Sequence, residues 1–191
     1  MRDFCDVRTN DTEDELWLLE HPPTYTLGQA GRAEHVLRDN GIPLVRCDRG
    51  GQVTYHAPGQ IVVYLLLNLR RRRLGLRELV RRLEKAVIVL LSDYGISACG
   101  DVTAPGVYVS GSKIAALGLR LRHGCTYHGM SLNVNMDLAP FADINPCGFV
   151  DLPVTQLIDL NVTDKMPQVR EKLVQQLCRQ LGADGPHVTS V

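Results

Sequence analysis

A chain of 191 residues with 45% hydrophobic and 22% charged residues has the make-up of one soluble globular domain, long enough to bury a sizeable core. Its formal charge of +0 gives no overall pull towards nucleic acid, and its longest apolar runs, 61–67 and 86–91, fall far short of the ~20 residues that a membrane helix needs. The polar, acidic opening lacks the apolar centre of a secretory signal, so a cytoplasmic protein is expected. Six cysteines scattered without C-x-x-C pairs argue for free thiols rather than a zinc site or a disulfide framework.

Trp17-Leu18-Leu19 is short, apolar and followed by Glu20-His21-Pro22-Pro23, which suits a buried strand, although a helix over 11–20 stays possible. The run 49–60, Arg-Gly-Gly-Gln-Val-Thr-Tyr-His-Ala-Pro-Gly-Gln, then sets paired glycines, hydrogen-bonding side chains and a proline turn directly ahead of an apolar stretch. Glycines let a main chain approach a ligand closely, and Arg49, Gln52, Thr54 and His56 are able to fix its polar end. The bland alternative is a glycine turn feeding a strand. That strand is expected over 61–67, β-branched at its start and buried on both faces.

Arginines at 70–73, 77, 81 and 82 concentrate positive charge, while Glu13, Asp14 and Glu15 make the start acidic. From Leu76, apolar residues at 79, 80, 83, 87, 90 and 91 keep a 3.6-residue period that Gly95 ends, predicting an amphipathic helix. Leu117, Leu119 and Leu121 alternate with Gly118, Arg120 and Arg122; after a turn at His123-Gly124, Met130, Leu132, Val134 and Met136 alternate with Ser131, Asn133 and Asn135. Two adjacent antiparallel strands follow. A second helix is expected from about Gln168, with Val169, Leu173, Leu177 and Leu181 on one face and Thr163 or Asp164 as its cap, and 182–191 reads as a flexible tail. The whole is α+β: a single domain over 1–191 with a mixed, mainly antiparallel sheet and helices packed on it.

Three segments taken together, 49–60, 106–120 and 124–134 continuing through Asn145-Pro146-Cys147-Gly148, resemble the lipoyl(octanoyl) transferase family, as do Glu20-His21-Pro22-Pro23 and Gly28-Gln29-Ala30-Gly31. The resemblance covers 14–150 and implies the biotin/lipoate ligase fold. It also implies a cofactor-free reaction, in which an octanoyl group passes from octanoyl-acyl carrier protein through a cysteine thioester to a lysine of lipoyl domains. Those domains belong to 2-oxoacid dehydrogenase complexes and the glycine cleavage H protein, and neither nucleic acid, membrane nor metal is implied. Two departures stand out: the family usually has glycine where Ala57 lies, and relatives generally carry an additional N-terminal segment with a helix.

Acyl transfer needs a nucleophile, a group that holds it as thiolate, and a pocket for the chain. Cys147, in a turn fixed by Pro146 and Gly148, is the family's nucleophile position. A packed small hydrophobe is the alternative for a lone cysteine, and Cys125 competes for the role. Lys113 is one of four lysines against seventeen arginines. An ammonium lowers a nearby thiol pKa, and only lysine is also able to give up its proton; the alternative is a solvated charge at a hairpin. The matching family position makes Cys147 and Lys113 a dyad. By resemblance the acyl chain is held by Arg49, Gly50, Gly51, Gln52, Val53, Thr54, Tyr55 and His56, by Ala116, Leu117 and Gly118, and by Gly129, Met130 and Ser131. His128 reads as a satisfied structural histidine. An ATP-dependent lipoate or biotin ligase, which needs no cysteine nucleophile, and a non-catalytic acyl-binding module are the competing functions.

Overall fold

A computed structural model describes residues 1–101, 103–150, 152–182 and 186–190, with Cys147 described by its backbone alone. The elements are α1 (Arg2–Val7), β1 (Glu15–Leu19), β2 (Thr24–Leu27), β3 (Leu44–Arg46), β4 (Val53–His56), β5 (Gln60–Leu66), α2 (Leu76–Asp93), β6 (Cys99–Gly100), β7 (Gly106–Val109), β8 (Ser112–Arg122), β9 (Cys125–Asn133), α3 (Met166–Leu181) and β10 (His187–Ser190). Seven strands form one sheet in the order β10-β1-β5-β9-β8-β7-β6, and β3-β2-β4 form a second.

The β-branched, apolar residues of β5 put it at the centre of the large sheet, antiparallel to β1 (Leu18 opposite Val63) and to β9 (Met130 opposite Val63). The 3.6-residue stripe of α2 packs on one face of this sheet: Leu79, Leu83, Val87 and Leu90 are fully buried. Val169, Leu173 and Leu177 of α3 join the same core, with Leu16, Ile61 and Leu132 from the strands. Gly95, with φ 75, ends the α2 segment as expected. The turn between β8 and β9 places His123 and Gly124 in the left-handed region, φ 52 and 84, as a tight two-residue hairpin requires.

Four expectations are corrected. The N-cap of α3 is Lys165 rather than Thr163 or Asp164; the Asp164 carboxylate instead accepts the Tyr94 hydroxyl at 2.8 Å and Lys172 Nζ at 2.7 Å. The alternating strand after the hairpin stops at Asn133, because the amides of Val134 and Asn135 turn to the Gly59 carbonyl. Within the expected flexible tail, 187–190 form β10, parallel to β1 with Val188 opposite Leu16; residues 183–185 and 191 lie outside the described residues. The glycine-rich run does not merely precede a strand, since its middle third, Val53–His56, is β4.

Beyond these corrections, the sequence carried no clear signal for α1, which buries Cys5 against Leu66 and Tyr127. On the sheet face away from α2 and α3, the small sheet holds its own core of Tyr25, Leu27, Val53, Tyr55, Ala57 and Phe141. Ala57, with its extra methyl, is simply packed there.

Candidate active site

Between the two sheets lies a cavity of about 370 Å³, within the ~300–1,000 Å³ typical of small-ligand pockets. One wall is Val62 and Tyr64 of β5, Gly129 and Ser131 of β9, and Ala116 and Gly118 of β8; the other is Thr24, Thr26, Thr54 and His56 of the small sheet. Of the residues expected at an acyl site, Arg49, Gly51, Gln52, Val53, Thr54, His56, Ala116, Leu117, Gly118, Gly129, Met130 and Ser131 line this space. Two do not. Tyr55 alternates away into the small core, edge-on to Phe141 at 5.5 Å, and Gly50 lies against β8, its amide donating to the Leu119 carbonyl.

The glycines divide by purpose. A Cβ on Gly118 would lie 3.2 Å from both Arg49 Cδ and the Gly50 carbonyl oxygen, so its absence lets the 49–50 loop pack closely on β8 at the cavity wall. A Cβ on Gly129 would lie 1.9 Å from the Val63 carbonyl oxygen, so strand pairing, rather than the groove, requires that glycine. Met130 likewise belongs to the main core, 3% exposed, with Leu117 packed against the same core.

Arg49 lines the cavity and is held by its own loop and β2. Its guanidinium donates to the carbonyls of Thr26 (2.6 Å), Gln52 (2.7 Å) and Gly50 (2.9 Å) and to Thr26 Oγ1, bracing the loop against β2. This bracing fixes the state of His56. Gln60 Nε2 donates to the Tyr55 carbonyl and to Asn133 Oδ1, so Gln60 Oε1 is an acceptor and His56 Nδ1 must donate to it, at 2.7 Å. Thr26 Oγ1 already accepts from Arg49, so its own proton goes to His56 Nε2, at 3.2 Å. His56 is therefore a neutral Nδ1–H imidazole, and burial pushes its pKa down to about 4. Tyr64 Oη lies 2.6 Å from His21 Nε2, and burial raises Tyr64 to about 12 and lowers His21. With their polar atoms paired to one another, these side chains leave the cavity a surface suited to an apolar guest.

At one end of the cavity, Thr54, Ala116 and Ser131 also line a small cleft with Lys113 and Pro146. Lys113 is not a solvated hairpin charge. It is 4% exposed, its Nζ is 5.1 Å from the Tyr108 ring centroid, and its backbone is pinned by Lys113 N–H donating to the Pro153 carbonyl and Thr155 N–H donating to its own carbonyl. Cys147 sits in the 3-10 turn Pro146–Gly148, where Gly148 takes φ 78 and donates to the Asn145 carbonyl. The Asn145 amide donates in turn to the His35 carbonyl, and Val36 pairs with Ile144, so the turn is fastened to the segment 35–37. The Cys147 side chain lies outside what the structure describes. Cys125 is buried at the start of β9.

Towards the other end, His128 lines the cavity and also donates its Nε2 proton to Asp48 at 2.8 Å, so the expected structural role is only half of its place. Burial works to raise Asp48, but the Tyr127 hydroxyl, His128 and Arg2 outweigh it and hold the carboxyl well below the usual range. Sequence reasoning missed His21, Thr24, Thr26, Cys47 and Tyr64 as lining residues. The alternation Thr24-Tyr25-Thr26-Leu27 directly after two prolines was the available signal for the first threonines.

The lipoyl protein ligase A/B catalytic domain model matches residues 3–178. An octanoyltransferase from Laribacter hongkongensis is 60% identical over 177 residues, 93% of this chain and 86% of the relative. Among solved structures, lipoate-protein ligase A bound with ATP aligns with a TM-score of 0.78 at 18% identity, covering 100% of this chain and 81% of that one. The Thermoplasma acidophilum bipartite lipoate protein ligase, described with its E2 lipoyl domain, aligns with a TM-score of 0.75 at 19% identity over 99% and 78%. At these identities the two structures report the fold alone, and the fold is that of the lipoate ligases.

Proposed function

Because the chain belongs to the lipoyl protein ligase A/B catalytic domain family, and within it to the octanoyltransferases, we propose that the cavity between its sheets holds the octanoyl chain while Cys147 carries it as a thioester. The chain is an acyltransferase, and octanoyl transfer in lipoate biosynthesis is its activity. Adenylation by a ligase is the reading not favoured. Lipoyl protein ligase relatives act on lipoyl domains, which fits a lipoyl-domain lysine as acceptor; octanoyl-acyl carrier protein is the donor we propose.

One observation supports the reading: the cavity shares Thr54, Ala116 and Ser131 with the cleft that Lys113 and Pro146 line, so an apolar chamber opens beside Lys113 and the start of the turn to which Cys147 belongs. Along β9 the chamber runs from Ser131 to His128, three residues or roughly 10 Å, a length that suits an extended eight-carbon chain. In the first half-reaction the Cys147 thiolate attacks the donor thioester carbonyl and expels the carrier thiolate. In the second, the lipoyl-domain amine attacks the Cys147 thioester, the Cys147 thiolate leaves, and the amine proton passes to a neighbouring base. The Lys113 ammonium stabilises the Cys147 thiolate, gives its proton to the departing carrier thiolate in the first half-reaction and, now neutral, takes the proton of the attacking amine in the second, so that the thiolate–ammonium pair is restored.

Single-turnover assays of each half-reaction test this. With no ATP present, wild type should complete both. Lys113→Arg, which keeps charge but is unable to cycle a proton, should lose ~10² to 10⁴ in the second half-reaction. A strict need for ATP, or wild-type rates in Lys113→Arg, would contradict the reading.

A further inference from the structure

Beneath Lys113 the large sheet meets a carboxylate that the chemistry above does not use. Glu84 lies within the buried stripe of α2, between Leu83 and Val87, and is 8% exposed. A glutamate is almost never found so deeply buried without partners. Glu84 Oε1 accepts the Gly106 amide at 3.1 Å, and its Oε2 lies 2.9 Å from where a Gly100 side chain would begin, so β6 and β7 both close over it. Gly106 also touches Lys113: a Cβ there would lie 3.0 Å from Lys113 Cε and 3.4 Å from Nζ. One glycine thus stands between a buried carboxylate and a buried amine.

We propose that Glu84 is the positioning residue of Lys113: it fixes the start of β7, against which the lysine stem lies, and its charge keeps the buried amine as an ammonium. Burial alone favours a neutral lysine, because the charged form loses its hydration. Two carboxylates oppose that tendency, Glu84 from α2 and Asp101 from the β6–β7 connection; both feel the lysine charge. The Tyr108 ring faces Nζ from β7, and Lys85, next to Glu84 on α2, is exposed. Burial pushes the Glu84 carboxyl up and the Asp101 charge adds to that push, while the Gly106 amide and Lys113 pull it back towards ionisation. The two buried groups thereby support each other's charge. β7 shifts register against β8 between Val107 and Tyr108, so the strand that carries this contact needs an anchor of its own.

The inference rests on the reading of Cys147 and Lys113 as the reacting pair, and its test separates the two. Only four lysines are present, so the ¹³Cε resonances of labelled lysine permit a direct titration of Lys113. Glu84→Gln keeps an acceptor for Gly106 and removes the charge; Glu84→Ala removes both. The Lys113 titration should fall by ~0.5 to 1 pH unit in Glu84→Gln, and the alkaline limb of kcat/KM should move down with it. KM for the donor should stay unchanged, and Glu84→Ala should add a further loss of kcat. Glu84→Asp, which retracts the charge by one methylene, should give a smaller drop and serves if the glutamine variant does not fold. An unshifted Lys113 titration overturns the proposal even where activity falls, since that pattern marks a merely structural glutamate. Full turnover by Lys113→Ala or Cys147→Ser would instead remove the parent reading, whatever the titration shows.

Discussion

At His56 a single hydrogen-bond chain decides a protonation state. With Nδ1 donating to Gln60 and Nε2 accepting from Thr26, the ring has no place for a second proton, and its pKa of about 4 lies below the unfolded value of ~6.5. Between those values the unfolded chain binds the extra proton, so the contribution to stability is full above pH ~6.5 and is lost as pH falls towards 4. The full difference amounts to about 3 kcal/mol. Urea unfolding at pH 7 and pH 4.5 should show this loss in wild type and much less of it in His56→Gln; equal losses would contradict the assigned tautomer. Gly118 has a different kind of role. It lines the cavity where the 49–50 loop packs on β8, so Gly118→Val, which crowds that wall, should shift the preference in kcat/KM from octanoyl to shorter acyl donors, and an unchanged preference would show that the chain lies elsewhere. The sequence made the types at 49–56 legible as a site, yet not that Tyr55 turns into a core or that Arg49 serves its own loop. Alternation within β4 and the pairing with β2 decide those facts, and they depend on partners distant in sequence.

Among the elements, the run of arginines at 70–73 reads in sequence as one solvated patch suited to steering acidic partners. The fold divides it. Asp14, with 3% of its side chain exposed, accepts from Arg8, Arg71 and Arg72, at 2.9, 2.6 and 2.5 Å, and also from the Asn68 amide. Arg72 further donates to the Leu181 carbonyl, tying the β1 approach to the end of α3. Breaking a buried ion pair from one side costs about 3–5 kcal/mol, so Arg72→Ser or Asp14→Ala should lower the midpoint of thermal unfolding markedly. Arg70, Arg73 and Arg77 are exposed; replacing these three with serine should leave the midpoint unchanged while raising KM for protein substrates and flattening its salt dependence. A fall in stability from the exposed triple, or none from Arg72→Ser, would contradict this division. The acidic start and the basic run were each visible in the sequence, but their mutual burial was not, since fifty-odd residues separate them.

At the scale of the molecule, the periodicities that announce α2, α3, β5 and the β8–β9 hairpin are those of elements that bury one face or both in a single core, and local pattern suffices to reveal them. The small sheet escaped that reading. Its strands are three or four residues long, and the exposed β3 carries no burial pattern at all. Yet it is the small sheet, laid over the face that α2 and α3 leave uncovered, that creates the chamber beside Lys113. The fold is shared with lipoate ligases, so architecture alone does not separate transfer through a thioester from adenylation. The separation lies in covalency at Cys147. Intact mass of wild type and Cys147→Ser after incubation with octanoyl-acyl carrier protein, followed by hydroxylamine, tests it most directly. One octanoyl group should appear on wild type, map to Cys147 and be released by hydroxylamine, with none on Cys147→Ser. Unmodified wild-type protein that still transfers octanoyl groups, or an equal adduct on Cys147→Ser, would contradict the account.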